Sequence, residues 1–150
     1  MDPQVWGPKA WFFIHNVPLN YPSNPTEEDK SRYKAFFLSL QYILPCSICQ
    51  NHLRENINVK ELDEALKSKV SLLKWTVELH NKVNKQLGKK VLTFDEALVE
   101  LQKEYSNFQR DKQFKKAKYY IFILLFLLCL IVIFCLFKSK KLNTRNVLPL

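Results

Sequence analysis

The chain has 150 residues, 47% of them hydrophobic, which suffices for one compact domain and an appendage. Its formal net charge of +9 comes from the C-terminal part: residues 1–109 carry 14 basic against 13 acidic side chains, and residues 110–150 carry 9 against 1. Charge confined to that part gives no support to nucleic-acid binding, and four cysteines are too few for a secreted disulfide framework.

Residues 1–108 are predicted to be all-helical, because this part is poor in glycine and shows no alternation typical of strands. A first helix is predicted from about Trp6 to Val17, where apolar residues recur at helical spacing. A second is predicted to begin at Thr26, followed by three acidic residues that complement a helix N-terminus, and to end before Pro45.

Three further helices are predicted in this domain. The third has Pro45 in its first position and runs to about Asn56, and the fourth covers about 71–87 and stops at Gly88. A capping-box sequence that begins at Thr93 starts the fifth, which is predicted to end near residue 108. The architecture predicted from these elements is a small helical bundle.

A membrane helix is predicted after the domain, because no charged residue occurs from Tyr119 to Phe137. As a helix this stretch spans roughly 28 Å, close to the roughly 30 Å hydrocarbon thickness of a bilayer. Cys129 and Cys135 lie within it on different sides of the helix, and are predicted to be small apolar residues rather than a redox pair. The predicted organisation is a domain over 1–108, a basic linker over 109–118, a membrane helix over 119–137 and a basic tail over 138–150.

The orientation is predicted from how such a chain would insert. No secretory signal opens the sequence and only a short tail follows the apolar stretch, which predicts a tail-anchored protein with its domain facing the cytoplasm. Lysines flank the stretch on both sides, so the flanking charges alone do not decide the orientation.

Cys46 and Cys49 are the candidate redox pair. Two thiols at this spacing can close a disulfide within one helical turn, and amides at a helix N-terminus favour a thiolate, which indicates Cys46 as the reactive member. Two alternatives stay open at this point. The pair could form a zinc site with His52 and His80, or the cysteines could be incidental in a non-catalytic, tail-anchored helical adaptor.

Two further motifs accompany the cysteines: W-G-x-x-x-W-x-x-x-H from Trp6 to His15, and H-N-x-V-N-x-x-L-G-K from His80 to Lys89. Together the three motifs resemble the Erv/ALR family of FAD-linked sulfhydryl oxidases over about residues 5–95. The resemblance implies a four-helix bundle with a short fifth helix that holds FAD without a glycine-rich dinucleotide loop.

The resemblance also assigns roles to individual residues. Cys46 would exchange with a substrate dithiol, and Cys49 would lie deeper, against the flavin, with electrons passing to oxygen to give hydrogen peroxide. No metal is implied. The residues implied to bind FAD are Trp11, His15, His80, Asn81, Val83, Asn84 and Lys89.

The branch that the chain most resembles is that of large cytoplasmic DNA viruses, which implies disulfide formation in the host cytoplasm and a place in a virion membrane. The implied partner is a thiol-bearing substrate protein or a thioredoxin-like relay protein, with dimerisation as in the family.

The chain departs from the family pattern at two places. Leu44 stands where members often have a tyrosine, with Tyr42 two residues earlier, so that flavin contact is in question. Val77 and Glu96 occupy the positions of a cysteine pair that braces the last helices of many members. Because that disulfide cannot form here, the bundle is expected to rely on packing or on dimerisation.

Overall fold

The computed structural model of the chain describes residues 2–145, with the side chains of all of these except 137 and 139–145. The described residues form α-helices, one 3-10 helix and loops but no strand, which confirms the all-α prediction. The α-helices are α1 Pro3–Asn16, α2 Glu27–Ile43, α3 Ser47–Asn56, α4 Val59–Ala65, α5 Lys69–Gln86 and α6 Phe94–Arg145, and the 3-10 helix Val17–Asn20 follows α1. The chain divides into two compact units, Met1–Gln102 and Lys103–Leu150.

Helix α5 supplies the centre of the first unit, and α1, α3, α4 and the 3-10 helix all pack against it. The ring of Phe37 on α2 meets Trp75 on α5 edge to face, with the ring centroids 5.1 Å apart. Tyr21 is fully buried, and its hydroxyl donates a hydrogen bond of 2.7 Å to the carbonyl of Leu66. The buried residues of this core are Ile14, Tyr21, Phe37, Leu40, Leu53, Leu62, Ala65, Leu66, Leu72, Trp75, Leu79 and Val83.

Reciprocal capping pairs fix where α2, α5 and α6 begin. Helix α2 begins directly after Thr26, as the sequence predicts, and Thr26 forms a capping box with Asp29; Ser68 with Ser71 forms an equivalent one at α5. At α6 the backbone N–H of Thr93 donates to Glu96, and the N–H of Glu96 donates to the Thr93 hydroxyl. These pairs satisfy amides that a helix start leaves without intrahelical partners.

The structure corrects the predicted helices between α2 and α5. Helix α3 begins at Ser47 with Cys46 as its N-cap, so Pro45 lies before the helix rather than in its first position. Helix α4 was not predicted. Its seven residues are too few for an apolar period to show, and it forms because Asn58 caps it and Leu62 packs into the core.

Helix α6 also differs from the prediction of a separate fifth helix ending near residue 108. It continues from Phe94 to Arg145, since neither glycine nor proline interrupts this stretch. It contains one segment long and apolar enough to cross a membrane, and none of the side chains in the apolar window of that segment is buried. The domain boundary at 108 and the linker at 109–118 stay predictions, and the predicted tail at 138–150 extends past the described residues.

Candidate functional site

The cysteine pair lies where α3 begins. Cys46 and Cys49 form a disulfide with their Cα atoms 5.2 Å apart. The backbone N–H of Cys49 donates to the Cys46 sulfur at 3.2 Å, which makes Cys46 the side-chain cap of the helix. Both cysteines are half-buried. Cys49 lies one turn before the buried Leu53, on the face of α3 that packs into the core, whereas Cys46 precedes the helix.

Gln50 holds the turn that leads from α2 to the disulfide. Its side-chain amide donates to the carbonyl of Leu44 at 2.7 Å and to that of Tyr42 at 3.1 Å, and its backbone N–H donates to the carbonyl of Cys46 at 2.9 Å. The end of α2 is thereby fixed to the start of α3. A disulfide in a fixed turn, with a backbone donor on one sulfur, is suited to thiol–disulfide exchange.

The second part of the site is a stack of rings between α1 and α5. Trp11 and His15 are one turn apart on α1, as are Thr76 and His80 on α5, so each pair lies on one helix face. The rings of Trp11 and His80 are nearly parallel, with centroids 4.0 Å apart and an interplanar angle of 8°. The Nε2 atom of His15 lies 3.0 Å from Nδ1 of His80.

Both histidines of this stack are neutral at pH 7. Burial lowers the pKa of His15 to about 4 from its ordinary value of 6.5. Burial also lowers the pKa of His80, to about 3, and the neighbouring His15 and Lys89 add to the effect. A neutral imidazole carries one donor and one acceptor nitrogen, so the pair can form a directed hydrogen bond.

The end of α5 carries the remaining predicted residues. Gly88, at φ 64°, ends the helix: its N–H donates to the carbonyl of Lys85 at 3.2 Å and that of Lys89 donates to Asn84 at 2.8 Å. The side chain of Lys89 is exposed, and that of Asn84 is half-buried. This geometry leaves a cation beside the C-terminus of α5, near enough to His80 to contribute to the lowered pKa of that ring.

Two of the residues predicted to bind the cofactor, Asn81 and Val83, have roles in the fold itself. Asn81 binds the backbone of Leu92 twice, because its amide nitrogen donates to the Leu92 carbonyl at 2.7 Å and its oxygen accepts from the Leu92 N–H at 3.0 Å. It thereby fixes the loop between α5 and α6. Val83 is 7% exposed and belongs to the core. Direct contact of either residue with FAD stays a prediction.

The residues of this region fit a flavin dinucleotide. The stacked rings of Trp11 and His80 are aromatic groups of the kind on which a planar ring system packs, and Lys89 is a cation for a pyrophosphate. The buried Nε1 of Trp6 has no hydrogen-bond partner among the described residues, and a Cβ placed on Gly7 would meet open space. A buried donor without an acceptor is the kind of group that a bound ligand satisfies.

The departures from the family pattern have plain structural outcomes. Tyr42 is 65% exposed with the Arg54 guanidinium 5.7 Å from its ring centroid, whereas Leu44 packs against the core. Val77 is buried, and Glu96 caps α6 and pairs with Lys90 at 3.2 Å. The two positions that a second disulfide would join are therefore occupied by a buried residue in the middle of α5 and by a capping residue in the first turn of α6.

The zinc alternative lacks its ligand set. It requires the two cysteines, His52 and His80 to meet at one point, but in the part of the chain that the structure describes no three His, Cys, Asp or Glu side chains form such a cluster. Cys46 and Cys49 are joined to each other, and His80 contacts Trp11 and His15 instead.

One residue of this site escaped the sequence analysis. Thr76 is fully buried, its hydroxyl lies 3.0 Å from Nδ1 of His15, and it donates to the carbonyl of Leu73 at 2.8 Å. The signal that could have found it is a polar residue one turn before His80, in an otherwise apolar helix face.

Comparison with known proteins places this arrangement in a family. The profile described as the Erv1 / Alr family matches residues 8–106, which include both cysteines and both histidines of the ring stack. The chain belongs to the Erv1/Alr family. The resemblance inferred from the three motifs is thereby confirmed.

Relatives in this family include viral and cellular proteins. A probable FAD-linked sulfhydryl oxidase of Acanthamoeba polyphaga mimivirus is 48% identical over 104 residues, covering 69% of this chain and 73% of the relative. The FAD-linked sulfhydryl oxidase of an African swine fever virus isolate is 30% identical over 91 residues, covering 61% and 75%. The crystal structure of the yeast Erv1 core has a TM-score of 0.57 at 30% identity, covering 63% of this chain and 79% of that one.

A further solved structure, the FAD-binding domain of Erv1 from Saccharomyces cerevisiae, has a TM-score of 0.53 at 33% identity, covering 63% of this chain and 89% of that domain. The similarity shows an Erv1-like helical fold over 63% of this chain.

Proposed function

We propose that this Erv1/Alr chain is an FAD-dependent sulfhydryl oxidase that forms disulfides in protein substrates. The observation that carries the proposal is the Cys46–Cys49 disulfide at the start of α3, in a chain whose relatives are named FAD-linked sulfhydryl oxidases. The Trp11–His80 stack supports a bound aromatic cofactor in the same helical unit as the disulfide, because α1 and α3 both pack on α5.

The exchange chemistry proceeds through two displacements on sulfur. A substrate thiolate attacks the Cys46 sulfur, which breaks the Cys46–Cys49 bond, forms a mixed disulfide and releases the Cys49 thiolate. The second substrate thiolate then attacks the substrate sulfur of that mixed disulfide and releases the Cys46 thiolate. The substrate is oxidised to a disulfide, and the cysteine pair is reduced to a dithiol.

The N-cap position of Cys46 supports this assignment of roles. In the second displacement Cys46 is the leaving group, and a leaving thiolate departs faster when it is stabilised. The Cys49 N–H donates to that sulfur, and the positive end of α3 lies beside it. Cys49, on the inward face of α3, is suited to deliver electrons to the interior of the site.

FAD when bound supplies the two-electron acceptor and the route to oxygen, with hydrogen peroxide as the product. Trp11 and His80 supply stacked aromatic rings for a planar ring to pack on, and His15 holds His80 in place. Asn81 fixes the loop that follows Lys89, so the cation is held near the end of α5. The residues proposed to hold FAD are Trp11, His15, His80, Asn81, Val83, Asn84 and Lys89.

We extend the proposal to the localisation of the protein and to its binding partners. The apolar segment of α6 anchors the chain in a membrane as a tail anchor, with the oxidase domain in the cytoplasm. The viral relatives support a role in cytoplasmic disulfide formation by a large DNA virus, at the host or virion membrane. The partner is a thiol-bearing substrate or a thioredoxin-like relay protein, and dimerisation would add stability in the absence of a second disulfide.

The full chain in detergent tests the function. It should purify yellow with bound FAD, and addition of dithiothreitol should start oxygen uptake and hydrogen peroxide formation. Cys46→Ser and Cys49→Ser should each abolish turnover while FAD stays bound. The matched control replaces the two free cysteines of α6 in the same way, Cys129→Ser together with Cys135→Ser, and this variant should turn over as the parent chain does. A yellow protein without thiol-dependent oxygen uptake would refute the oxidase proposal.

A further inference from the structure

A chain of hydrogen bonds runs from the backbone of α5 through two side chains to His80. The Thr76 hydroxyl lies 2.8 Å from the carbonyl oxygen of Leu73 and 3.0 Å from Nδ1 of His15. The Nε2 atom of His15 lies 3.0 Å from Nδ1 of His80. All three distances are normal for hydrogen bonds, so each contact needs one donor and one acceptor.

The backbone carbonyl decides the direction of the whole chain. A carbonyl only accepts, so the Thr76 hydroxyl donates its single proton to Leu73 and must accept from Nδ1–H of His15. A neutral His15 protonated at Nδ1 has an unprotonated Nε2, which accepts from Nδ1–H of His80. The Nε2 atom of His80 is then left as an acceptor.

The protonation states required by this chain agree with the surroundings. Burial holds the pKa of His15 at about 4 and that of His80 at about 3, so neither ring is a cation at pH 7. Trp11 fixes the plane of the His80 ring by stacking on it at 4.0 Å. Ring plane and proton position are thus both defined.

We propose that Thr76 is a positioning residue for the cofactor site, because its hydroxyl fixes the protons of His15 and His80 so that His80 presents Nε2 as a hydrogen-bond acceptor. The inference rests on the proposed function, in which this site holds FAD. An acceptor at this place selects a donor group on the cofactor, a hydroxyl or an amino group. Thr76 itself is 0% exposed and acts only through the two imidazoles.

Replacement of Thr76 by valine removes the anchor with little change in shape. His15 Nδ1–H would then face a methyl group, and a buried donor without an acceptor is unfavourable. The chain can avoid this by reversing: His15 becomes protonated at Nε2 and donates to His80, which becomes protonated at Nε2 in turn. His80 then presents a donor where it presented an acceptor. Thr76→Ser keeps the hydroxyl and should keep the original direction.

Nitrogen NMR reads the proton positions directly, because protonated and unprotonated ring nitrogens of histidine have widely separated shifts. The chain has three histidines, so full-length protein labelled with ¹⁵N at histidine gives signals from three rings. The signals that disappear in His52→Gln belong to His52, and the others belong to His15 and His80. FAD affinity is measured on the same full-length samples in detergent. The circular dichroism spectrum and the melting temperature of each variant show whether the fold is kept.

The expected result has three parts. In the parent chain and in Thr76→Ser, His15 and His80 are both protonated at Nδ1. In Thr76→Val both are protonated at Nε2, and the dissociation constant for FAD rises about tenfold or more, since a favourable hydrogen bond is replaced by two opposed donors. Thr76→Ser restores the affinity to within about twofold, which a purely structural role of the side chain would not predict.

Three outcomes would overturn the inference. The first is a parent chain with His80 protonated at Nε2, and the second is Thr76→Val with unchanged ring protonation. The third is a reversed pair that binds FAD as tightly as before. A folded parent chain that binds no FAD would refute the proposed function and the role toward the cofactor, while the ring signals would still decide whether Thr76 sets the protons.

Discussion

The unfolding free energy of the chain should fall steeply between pH 7 and pH 5 because of the two histidines in the ring stack. In the unfolded chain each has its ordinary pKa of 6.5, whereas burial lowers it to about 4 for His15 and about 3 for His80. As pH falls through 6.5 the unfolded state takes up protons that the folded state does not. Stability is therefore highest above pH 6.5 and declines until the folded rings titrate near pH 4 and 3.

The size of this change in unfolding free energy follows from the difference in bound protons between the unfolded and folded states. A proton bound only by the unfolded state changes the unfolding free energy by about 1.4 kcal/mol per pH unit once its pKa has been passed. Between pH 7 and 5 this amounts to about 2 kcal/mol for each histidine, and about 4 kcal/mol for the pair as an upper bound, since both rings are half-buried. Carboxylates scarcely titrate in this window, so the histidines dominate the change.

The assay is guanidinium chloride unfolding of the full chain in detergent, followed by tryptophan fluorescence, because all three tryptophans lie before residue 102. His80→Gln should lose about half of the pH dependence. Val77→Ala, a core truncation on the same helix, should lower stability equally at both pH values and leave the pH dependence intact. An unfolding free energy that is level from pH 7 to 5, or an unaltered slope in His80→Gln, would refute the assignment of two half-buried neutral imidazoles.

Three further outcomes are expected. Cys49→Ser should accumulate a mixed disulfide between Cys46 and a substrate thiol, visible as a mass increase on a non-reducing gel, whereas trapping only by Cys46→Ser would reverse the assigned roles. Asn81→Ala should lower the unfolding free energy by about 2 kcal/mol, since it removes two half-buried hydrogen bonds to Leu92. If the loss of stability is no larger than that caused by Lys85→Ala, at an exposed position, Asn81 does not fix the loop between α5 and α6. Deletion of residues 111–150 should release an active domain from membranes, and extraction of the full chain by carbonate alone would argue against a membrane span.

Local sequence was sufficient for the elements whose signals are local. Thr26, Thr93 and Gly88 mark helix ends through hydrogen bonds and backbone angles that depend on a few neighbouring residues, and the structure places those ends accordingly. The apolar stretch of α6 is a matter of composition alone. Helix α4 and the start of α3 were missed, because a seven-residue helix depends on tertiary packing and the conformation of Cys46 depends on the turn before it.

The sequence by itself determined the helical class, the two cysteines that form the disulfide and, through the spacing of three motifs, the family. Only the tertiary structure decided how the motifs meet. His15 lies 61 residues before Thr76 and 65 residues before His80 in the sequence, and no spacing rule connects residues so far apart. The direction of their hydrogen bonds, the lowered pKa of each histidine and the use of Asn81 as a loop clamp all arise from burial and from groups on other segments, which a linear pattern does not contain.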